Sequence, residues 1–253
     1  MGPEIRFEQV TRRFGAVTAV DAADLTIAPG SFVALVGVSG SGKSTLLRAI
    51  NRLDEGATRG GRITIGSEDT TATPLTKLRR RIGYVFQSIG LFPHMTVAAN
   101  VAIGRRVRGE TLGEAEIAAL LEQVGLPADF AQRTPRELSG GQAQRVGIAR
   151  ALAIEPEILL LDEPFAALDP VTRDALGKTV RALHEARGLT TILVTHDMAE
   201  AMLLADRVIV LAAGKIVADA SPADLAAGRG GTEAEALVAV PREQARRIAE
   251  LGG

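Results

Sequence analysis

The sequence has no cysteine and no tryptophan, and its 253 residues include only three histidines, one tyrosine and seven phenylalanines. Without cysteine the chain cannot form disulfides, thiolate metal sites or a cysteine nucleophile. Three histidines leave little room for a histidine-based metal centre. No apolar run approaches the roughly 20 residues of a membrane helix. The formal net charge of −1 provides no general basic field, so we expect no nucleic-acid partner.

The composition present is that of a globular protein, with 46% hydrophobic and 23% charged residues. The length suits one domain, or a domain with a small subdomain. The segment Met1–Val10 alternates charged and apolar residues, which is not the pattern of a signal peptide. We therefore expect a cytoplasmic protein.

Strand patterns lie on both sides of a helical middle segment. The first strong strand pattern covers Ser31–Val36, whereas helical signals dominate from about 87 to 155. The apolar run Ile158–Leu161 is typical of a strand buried on both faces, and strands and helices alternate after it. These patterns predict an α/β core with a helical insertion between two halves.

A glycine-rich loop, Gly37-Val38-Ser39-Gly40-Ser41-Gly42-Lys43-Ser44, follows the first strong strand and opens a helix. Its glycines permit a tight turn and let backbone N–H groups approach phosphate, and the helix dipole favours the same anion. We expect Lys43 to reach the β- and γ-phosphates and Ser44 to bind Mg²⁺. The alternative is a strand–helix turn with an incidental lysine, but the position of the loop favours the phosphate site.

Two adjacent carboxylates end the apolar strand. Asp162 follows four apolar residues, and Glu163 comes next. Phosphoryl transfer needs a carboxylate near the metal, which suits Asp162, and a general base or water-positioning group, which suits Glu163. Such a strand end alone is often simply a strand before a turn. The phosphate loop makes the catalytic interpretation the stronger one.

A second candidate phosphate site lies in Leu138-Ser139-Gly140-Gly141-Gln142. Locally this is a helix start with a capping box between Ser139 and Gln142. Two adjacent glycines there reduce helix stability, which indicates that something must approach closely. A helix N-terminus with a hydroxyl can itself bind phosphate. Because one ATP needs no second cradle in the same chain, the motif predicts a site completed by a partner subunit.

With these motifs in this order, residues 4–220 resemble the nucleotide-binding subunit of ATP-binding cassette (ABC) transporters. The resemblance implies a P-loop NTPase core with a parallel sheet, an N-terminal antiparallel β subdomain and an inserted α-helical subdomain at about 88–155. Residues 221–253 then form a short C-terminal helical tail. It also implies ATP and Mg²⁺ as cofactors, and ATP hydrolysis coupled to transmembrane solute transport.

The resemblance assigns further roles residue by residue. Phe14 occupies the position of an aromatic residue that stacks on adenine, where tyrosine is commoner, and His196 that of a switch residue for γ-phosphate. Taken alone, such residues are more often structural. The implied ATP-binding set is Phe14, Gly37, Ser39, Gly40, Ser41, Gly42, Lys43, Ser44, Thr45, Gln87, Ser139, Gly140, Gly141, Gln142, Asp162, Asp169 and His196. Lys43, Gln87, Glu163 and His196 are the implied catalytic residues, and Ser44, Gln87 and Asp162 the implied metal ligands.

The resemblance also implies partners. Two copies would form a head-to-tail dimer with two ATP molecules, Asp169 lying at its interface and Ser139–Gln142 acting on the other copy's ATP. Integral-membrane permease subunits would contact the region 88–105, and a solute-binding protein would act indirectly. The expected location is cytoplasmic, peripheral on the inner face of the cell membrane.

The cargo is predicted from weaker cues. Segments Arg79–Val97 and Asp169–Arg173 resemble importers of compatible solutes, such as glycine betaine, choline, carnitine and proline. Ala99 departs from a common glutamate and Gly147 from a common alanine, and we expect no long C-terminal regulatory extension. The alternatives are an importer ATPase for an amino acid, ion or polyamine, or a non-transport ABC ATPase. A P-loop kinase would not need Leu138–Gln142.

Overall fold

The computed structural model describes residues 1–251, apart from the side chain of Ile248. Within them the strands are β1 (Ile5–Phe14), β2 (Val17–Ile27), β3 (Phe32–Val36), β4 (Thr58–Ile65), β5 (Glu68–Asp69), β6 (Ile82–Val85), β7 (Ile158–Asp162), β8 (Thr190–Val194), β9 (Arg207–Ala212) and β10 (Lys215–Ala220). The α-helices are α1 (Lys43–Ile50), α2 (Leu75–Arg80), α3 (Val97–Arg106), α4 (Glu114–Gln123), α5 (Gly140–Leu152), α6 (Pro170–Arg187), α7 (Met198–Leu204), α8 (Pro222–Ala226) and α9 (Thr232–Leu251). The predicted α/β class is confirmed.

The chain divides into two compact units. The central unit consists of Pro74–Thr191 with Met1–Pro3. The flanking unit consists of Glu4–Thr73 with the described residues from Ile192 onward. The predicted division into an ATPase domain at 4–220 and a tail at 221–253 is a different partition of the chain, and it stays a prediction.

An antiparallel sheet of strand order β2-β1-β4-β5 forms the first part of the flanking unit. Buried Ile5 and Phe7 alternate with exposed Arg6 and Glu8, so β1 presents one apolar face. Ile5 pairs with residues of both neighbouring strands, which fixes the register of that face. The predicted N-terminal antiparallel β subdomain is confirmed.

The second sheet region of the flanking unit is built around β3, every residue of which is buried. β3 pairs in parallel with β9, and β10 adds an antiparallel strand to β9. On the other side of β3 lies β8, whose residues from Ile192 belong to this unit. Burial on both faces explains why the sequence of β3 is a continuous apolar run.

The central unit combines a parallel strand pair with helices. β6 pairs in parallel with β7, and α5 packs on β6 and on helices α3 and α4. The apolar stripe of α4 is buried at Ile117, Leu120 and Leu121. Gly147 in α5 is buried, and a Cβ there would lie 3.5 Å from the Ile89 side chain, an ordinary packing distance.

The C-terminal part of the flanking unit is helical. Ser221 caps α8 by accepting a hydrogen bond from the Asp224 N–H, as expected for a helix that starts at Ser-Pro. Helix α9 lies within the predicted helical tail 221–253; it starts at Thr232 and buries Ala234 and Val238. Among residues 1–251 no helix has both the length and the apolar character needed to cross a membrane.

Candidate nucleotide-binding site

The glycine-rich loop between β3 and α1 has a backbone that only glycine tolerates at two positions. Gly37 has φ +147°, and a Cβ there would lie 2.1 Å from the carbonyl oxygen of Leu211. Gly42 has φ +102°, and its Cβ would lie 2.2 Å from the carbonyl oxygen of Ala19. The neighbouring backbone therefore fixes the tight loop that the sequence predicts.

Lys43, the first residue of α1, folds back into this loop. Its side chain is buried, and Nζ donates hydrogen bonds to the carbonyl oxygens of Gly37 at 2.8 Å and Val38 at 2.9 Å. Gly42, at the N-cap, has no side chain with which to cap the helix. The ammonium group and the first N–H groups of α1 are thus concentrated at one loop, an arrangement suited to phosphate.

His196 lies in the loop after β8, close in the flanking unit to the strand that leads into the phosphate loop. The N–H of Thr195 donates to the carbonyl oxygen of Leu35 in β3. The Thr195 hydroxyl bonds to Glu200 and accepts from the N–H of Asp197, whose carboxylate caps α7. The backbone on both sides of exposed His196 is thereby fixed. Glu200 was not predicted from the sequence, although its acidic side chain in the first turn of α7 is a local signal.

Phe14 is the last residue of β1, and Gly15 follows it in a left-handed conformation with φ +57°. The Phe14 side chain is 38% exposed, which is a high value for a large apolar residue. Other protein atoms therefore leave part of the ring accessible. An accessible ring is what adenine stacking requires. The stacking role of Phe14 stays a prediction.

In the central unit, Gln87 and Glu163 leave the sheet at the same edge. β6 and β7 are parallel with Val85 opposite Leu161, so each of the two side chains lies two residues beyond a paired position. Gln87 Nε2 approaches Glu163 Oε2 to 3.5 Å. Glu163 itself has a left-handed backbone with φ 47°, a strained conformation of the kind found at functional sites.

Asp162 is completely buried at the end of β7, and Tyr84 Oη donates a 2.9 Å hydrogen bond to its Oδ2. A buried carboxylate at a strand end matches the one or two carboxylates with which Mg²⁺ is usually held beside phosphates. Asp162 therefore fits the predicted metal role. Tyr84 was not predicted from the sequence. Its contact with Asp162 can be recognised only from the pairing of β6 with β7, in which Tyr84 lies opposite Leu160.

The start of α5 confirms the predicted capping box. Ser139 Oγ accepts from the Gln142 N–H at 3.3 Å, and Gln142 Oε1 accepts from the Ser139 N–H at 2.9 Å. A Cβ at Gly140 would meet no atom within 4 Å, whereas one at Gly141 would lie 2.7 Å from Thr172 Cγ2. The open side of this helix start is at Ser139 and Gly140.

Asp169 caps α6, as its position before Pro170 predicts. Its Oδ1 accepts from the N–H groups of Val171 at 3.1 Å and Thr172 at 3.0 Å. A hydrogen bond from the Thr172 side chain is the main cause that lowers the pKa of the Asp169 carboxyl, followed by the bond from the Thr172 N–H. Asp169 is therefore an exposed, ionised group at the start of α6.

The central unit also contains an open groove of about 720 Å³. Apolar side chains and arginines line it, and no aspartate or glutamate is among the described residues of its lining. Two of the arginines, Arg108 and Arg150, have a lowered pKa because burial disfavours their charge. The predicted contact region 88–105 contributes Ser88, Gly90, Phe92, Ile103 and Gly104.

Known proteins match the chain over most of its length. A family model described as "ABC transporter" matches residues 20–166. The glycine betaine uptake system ATP-binding protein YehX of Escherichia coli is 46% identical over 220 residues, 86% of this chain and 71% of that protein. The sulfate/thiosulfate import ATP-binding protein CysA of Mycobacterium tuberculosis is 49% identical over 217 residues, 85% of this chain but 60% of its own length. The glycine betaine/carnitine/choline transport ATP-binding protein OpuCA of Bacillus subtilis is 44% identical over 224 residues, 87% and 58% respectively.

A solved structure is similar as well. The ATP-binding cassette MJ0796, a dimer in a post-hydrolysis state bound to ADP and Pi, has 37% sequence identity and a TM-score of 0.78. The match covers 86% of this chain and 98% of that one. The phosphate loop, the Ser139–Gln142 motif and the Asp162-Glu163 strand end are thus found in a chain that matches the family by sequence and by fold. The chain belongs to the ABC transporter family and is an ATPase of that family.

Proposed function

We propose that this chain hydrolyses ATP to drive an importer, and that the cargo is a quaternary amine or another compatible solute. The observation that carries the ATPase role is the placement of Gln87 beside Glu163, next to the buried carboxylate of Asp162. Relatives named for glycine betaine, carnitine and choline support the cargo. Relatives named for sulfate and thiosulfate, at 49% identity, favour an inorganic anion as the second candidate.

ATP binding in this proposal uses the flanking unit. Phe14 stacks on adenine, and the loop amides with Lys43 hold the β- and γ-phosphates. Lys43 then exchanges its bonds to the Gly37 and Val38 carbonyls for bonds to phosphate oxygens. The bonds to carbonyl oxygens join the ammonium group to neutral acceptors, whereas the bonds to phosphate join two opposite charges, so this exchange favours the nucleotide. Ser39, Gly40, Ser41, Ser44 and Thr45 complete the cradle.

Hydrolysis in this proposal depends on Glu163 as general base. Its carboxylate takes a proton from the attacking water, and the Gln87 amide donates to that carboxylate and orients it. His196 contacts γ-phosphate from a loop that Thr195 and Asp197 hold. Asp162, Ser44 and Gln87 would hold Mg²⁺, which neutralises phosphate charge when bound.

The second cradle acts on the ATP of another copy of the chain. The Ser139 oxygen accepts from the Gln142 N–H, and its own O–H proton remains suited to donation to γ-phosphate. Open space at Gly140 allows a phosphate to approach the start of α5. Head-to-tail pairing with ATP between the copies follows, and hydrolysis favours reopening. The dimeric state of the solved relative supports this proposal.

We place the permease in the groove of the central unit, at the inner face of the cell membrane. The groove exposes 40% of Phe86 and 42% of Phe92, and Arg79, Arg80 and Arg108 add positive charge to its lining. A short amphipathic helix with acidic residues would match both properties. The region 88–105 supplies part of this surface.

The proposal is tested by affinity capture of the chain from its native membranes. Val107→Asp adds a negative charge to the groove at a side chain that is 79% exposed, so folding should be little affected. Val240→Asp is the matched control on α9, at 58% exposure. We expect the parent and Val240→Asp to recover a permease with several membrane spans, and Val107→Asp to recover about tenfold less, a loss of about 1.4 kcal/mol of binding free energy.

The same capture identifies the cargo. The solute-binding protein associated with the recovered permease is titrated calorimetrically with glycine betaine, choline, carnitine, proline and sulfate. Binding of the quaternary amines or proline supports the compatible-solute proposal, and binding of sulfate alone supports the second candidate. If every captured partner is soluble or bound to nucleic acid, the importer proposal is wrong.

A further inference from the structure

The two adjacent glycines at the start of α5 differ in what surrounds them. An added Cβ at Gly140 would meet nothing within 4 Å. At Gly141 it would lie 2.7 Å from Thr172 Cγ2 and 3.7 Å from Leu168 Cδ2. A separation of 2.7 Å between two carbon atoms is a clash, so Gly141 lacks a side chain because the start of α6 occupies that space. A ligand is not needed to explain this glycine.

Thr172 is held where it blocks that space. Its N–H donates to Asp169 Oδ1 at 3.0 Å, and its side chain hydrogen-bonds the same carboxylate. The hydroxyl and the methyl group of threonine share one Cβ, so a hydroxyl fixed on Asp169 also fixes the methyl group against Gly141. Rotation of χ1 to relieve a clash would break the bond to Asp169.

The proposed dimer places Asp169 and Ser139 at its interface. Thr172 hydrogen-bonds Asp169, and its methyl group packs beside Gly141, two residues from Ser139. We infer that Thr172 is a positioning residue, which links the Asp169 turn to the first turn of α5 and sets the position of Ser139 and Gly140 toward the other copy's ATP. Movement of Asp169 is transmitted through the Thr172 methyl group to Gly141, two residues from Ser139. This inference rests on the proposed function, because Ser139 and Gly140 face the ATP of another copy only in the proposed dimer.

The test measures ATP-dependent dimerisation in the Glu163→Gln background, where ATP persists. We expect Gly141→Ala to weaken the dimer about tenfold or more, equivalent to about 1.4 kcal/mol. Thr172→Ser keeps the hydroxyl bonded to Asp169 and removes the methyl group, so Gly141→Ala/Thr172→Ser should recover most of the affinity. Thr172→Val keeps the methyl group and loses the hydroxyl, and Gly141→Ala/Thr172→Val should show no such recovery.

Failure to recover with Thr172→Ser would overturn the inference, because Gly141 would then be required by the ligand and not by Thr172. Dimerisation is measured well below the unfolding temperature of every variant, so loss of folded protein does not explain the result. If the Glu163→Gln parent does not dimerise with bound ATP, the proposed dimer is wrong, and the positioning role, which depends on it, is wrong too.

Thermal unfolding tests the contact without ATP. Gly140→Ala, which meets no atom, should unfold at or above the parent's temperature because alanine favours helix. Gly141→Ala should unfold at a lower temperature, and Thr172→Ser should restore it. Equal unfolding of the two alanine variants would contradict the clash on which the inference depends.

Discussion

At the scale of single residues, Asp69 shows how local hydrogen bonds determine the charge of a carboxyl group. Its Oδ1 accepts from the N–H and the hydroxyl of Thr71, at 2.7 and 2.6 Å, and its Oδ2 accepts from Arg62 Nε at 2.7 Å. These bonds, the Thr71 hydroxyl foremost, lower the pKa of Asp69 from 3.8 to about 2. Each bond favours the ionised form.

The lowered pKa of Asp69 predicts how stability depends on pH. The ionised form stabilises the fold fully above pH 3.8, the ordinary value, and this contribution is lost as the pH falls toward about 2. Asp69→Asn should therefore be less stable than the parent at neutral pH, with a difference that shrinks below pH 3.8. Urea unfolding across pH and carboxyl NMR titration measure this. A carboxyl that titrates at its ordinary value, or a difference independent of pH, would contradict the prediction.

At the scale of elements, one buried side chain shapes the entry to α3. Asn100 is fully buried, and its Oδ1 accepts from the Phe92 N–H at 2.7 Å. Its Nδ2 donates to the carbonyl oxygens of Phe92, Met95 and Thr96 at 3.1, 3.3 and 3.0 Å. The turn that presents Phe92 to the groove thus depends on an amide from the first turns of the helix that follows it.

Asn100→Ala should destabilise the protein by about 2–4 kcal/mol, because it leaves several backbone groups without their partner. Asn100→Asp is the informative companion, since it places a carboxylate against three carbonyl oxygens and should be no better. Urea unfolding gives the free energy of unfolding, and hydrogen exchange of the Phe92 amide reports the turn itself. Unchanged exchange in Asn100→Ala would show that other contacts hold the turn.

Elements with local signals could be predicted from the sequence. Two helix starts have such signals: the glycine-rich motif that ends in Gly42-Lys43 precedes α1, and Asp169, which caps α6, precedes Pro170. The continuity of α9 through Pro241 could not be predicted from local signals. Proline normally ends a helix, yet burial of Ala234 and Val238 accompanies continuation here.

The site, too, has a part that local sequence signals predict and a part that depends on tertiary structure. The residues of the glycine-rich loop and of the Ser139–Gln142 motif can be predicted, because each motif lies within one short segment. The bond from Tyr84 to Asp162 joins residues 78 apart and requires the register of β6 on β7. The contact between Thr172 and Gly141 requires the packing of α6 on α5. Such contacts arise from tertiary structure, which single-sequence patterns do not contain.

At the scale of the whole molecule, the candidate residues are divided between the two units. The phosphate loop and His196 belong to the flanking unit, whereas Gln87, Asp162, Glu163 and the Ser139–Gln142 motif belong to the central unit. Neither unit therefore carries the whole proposed set. Because the proposed dimer adds the Ser139–Gln142 motif of another copy to each ATP, bound ATP is expected to favour association of two chains.

Glu163→Gln should convert ATP into a stable dimerising ligand. The substitution keeps the shape of the side chain and removes the proton acceptor, so turnover should fall by about 10²–10⁴-fold while ATP binding persists. Because bound ATP is no longer consumed, the closed dimer should accumulate, and light scattering with and without ATP measures it.

Lys43→Ala is the control, which should lose both hydrolysis and ATP-dependent association. A Glu163→Gln chain that binds ATP and stays monomeric would contradict the dimer for the isolated chain, and undiminished turnover in Lys43→Ala would show that the phosphate site is elsewhere.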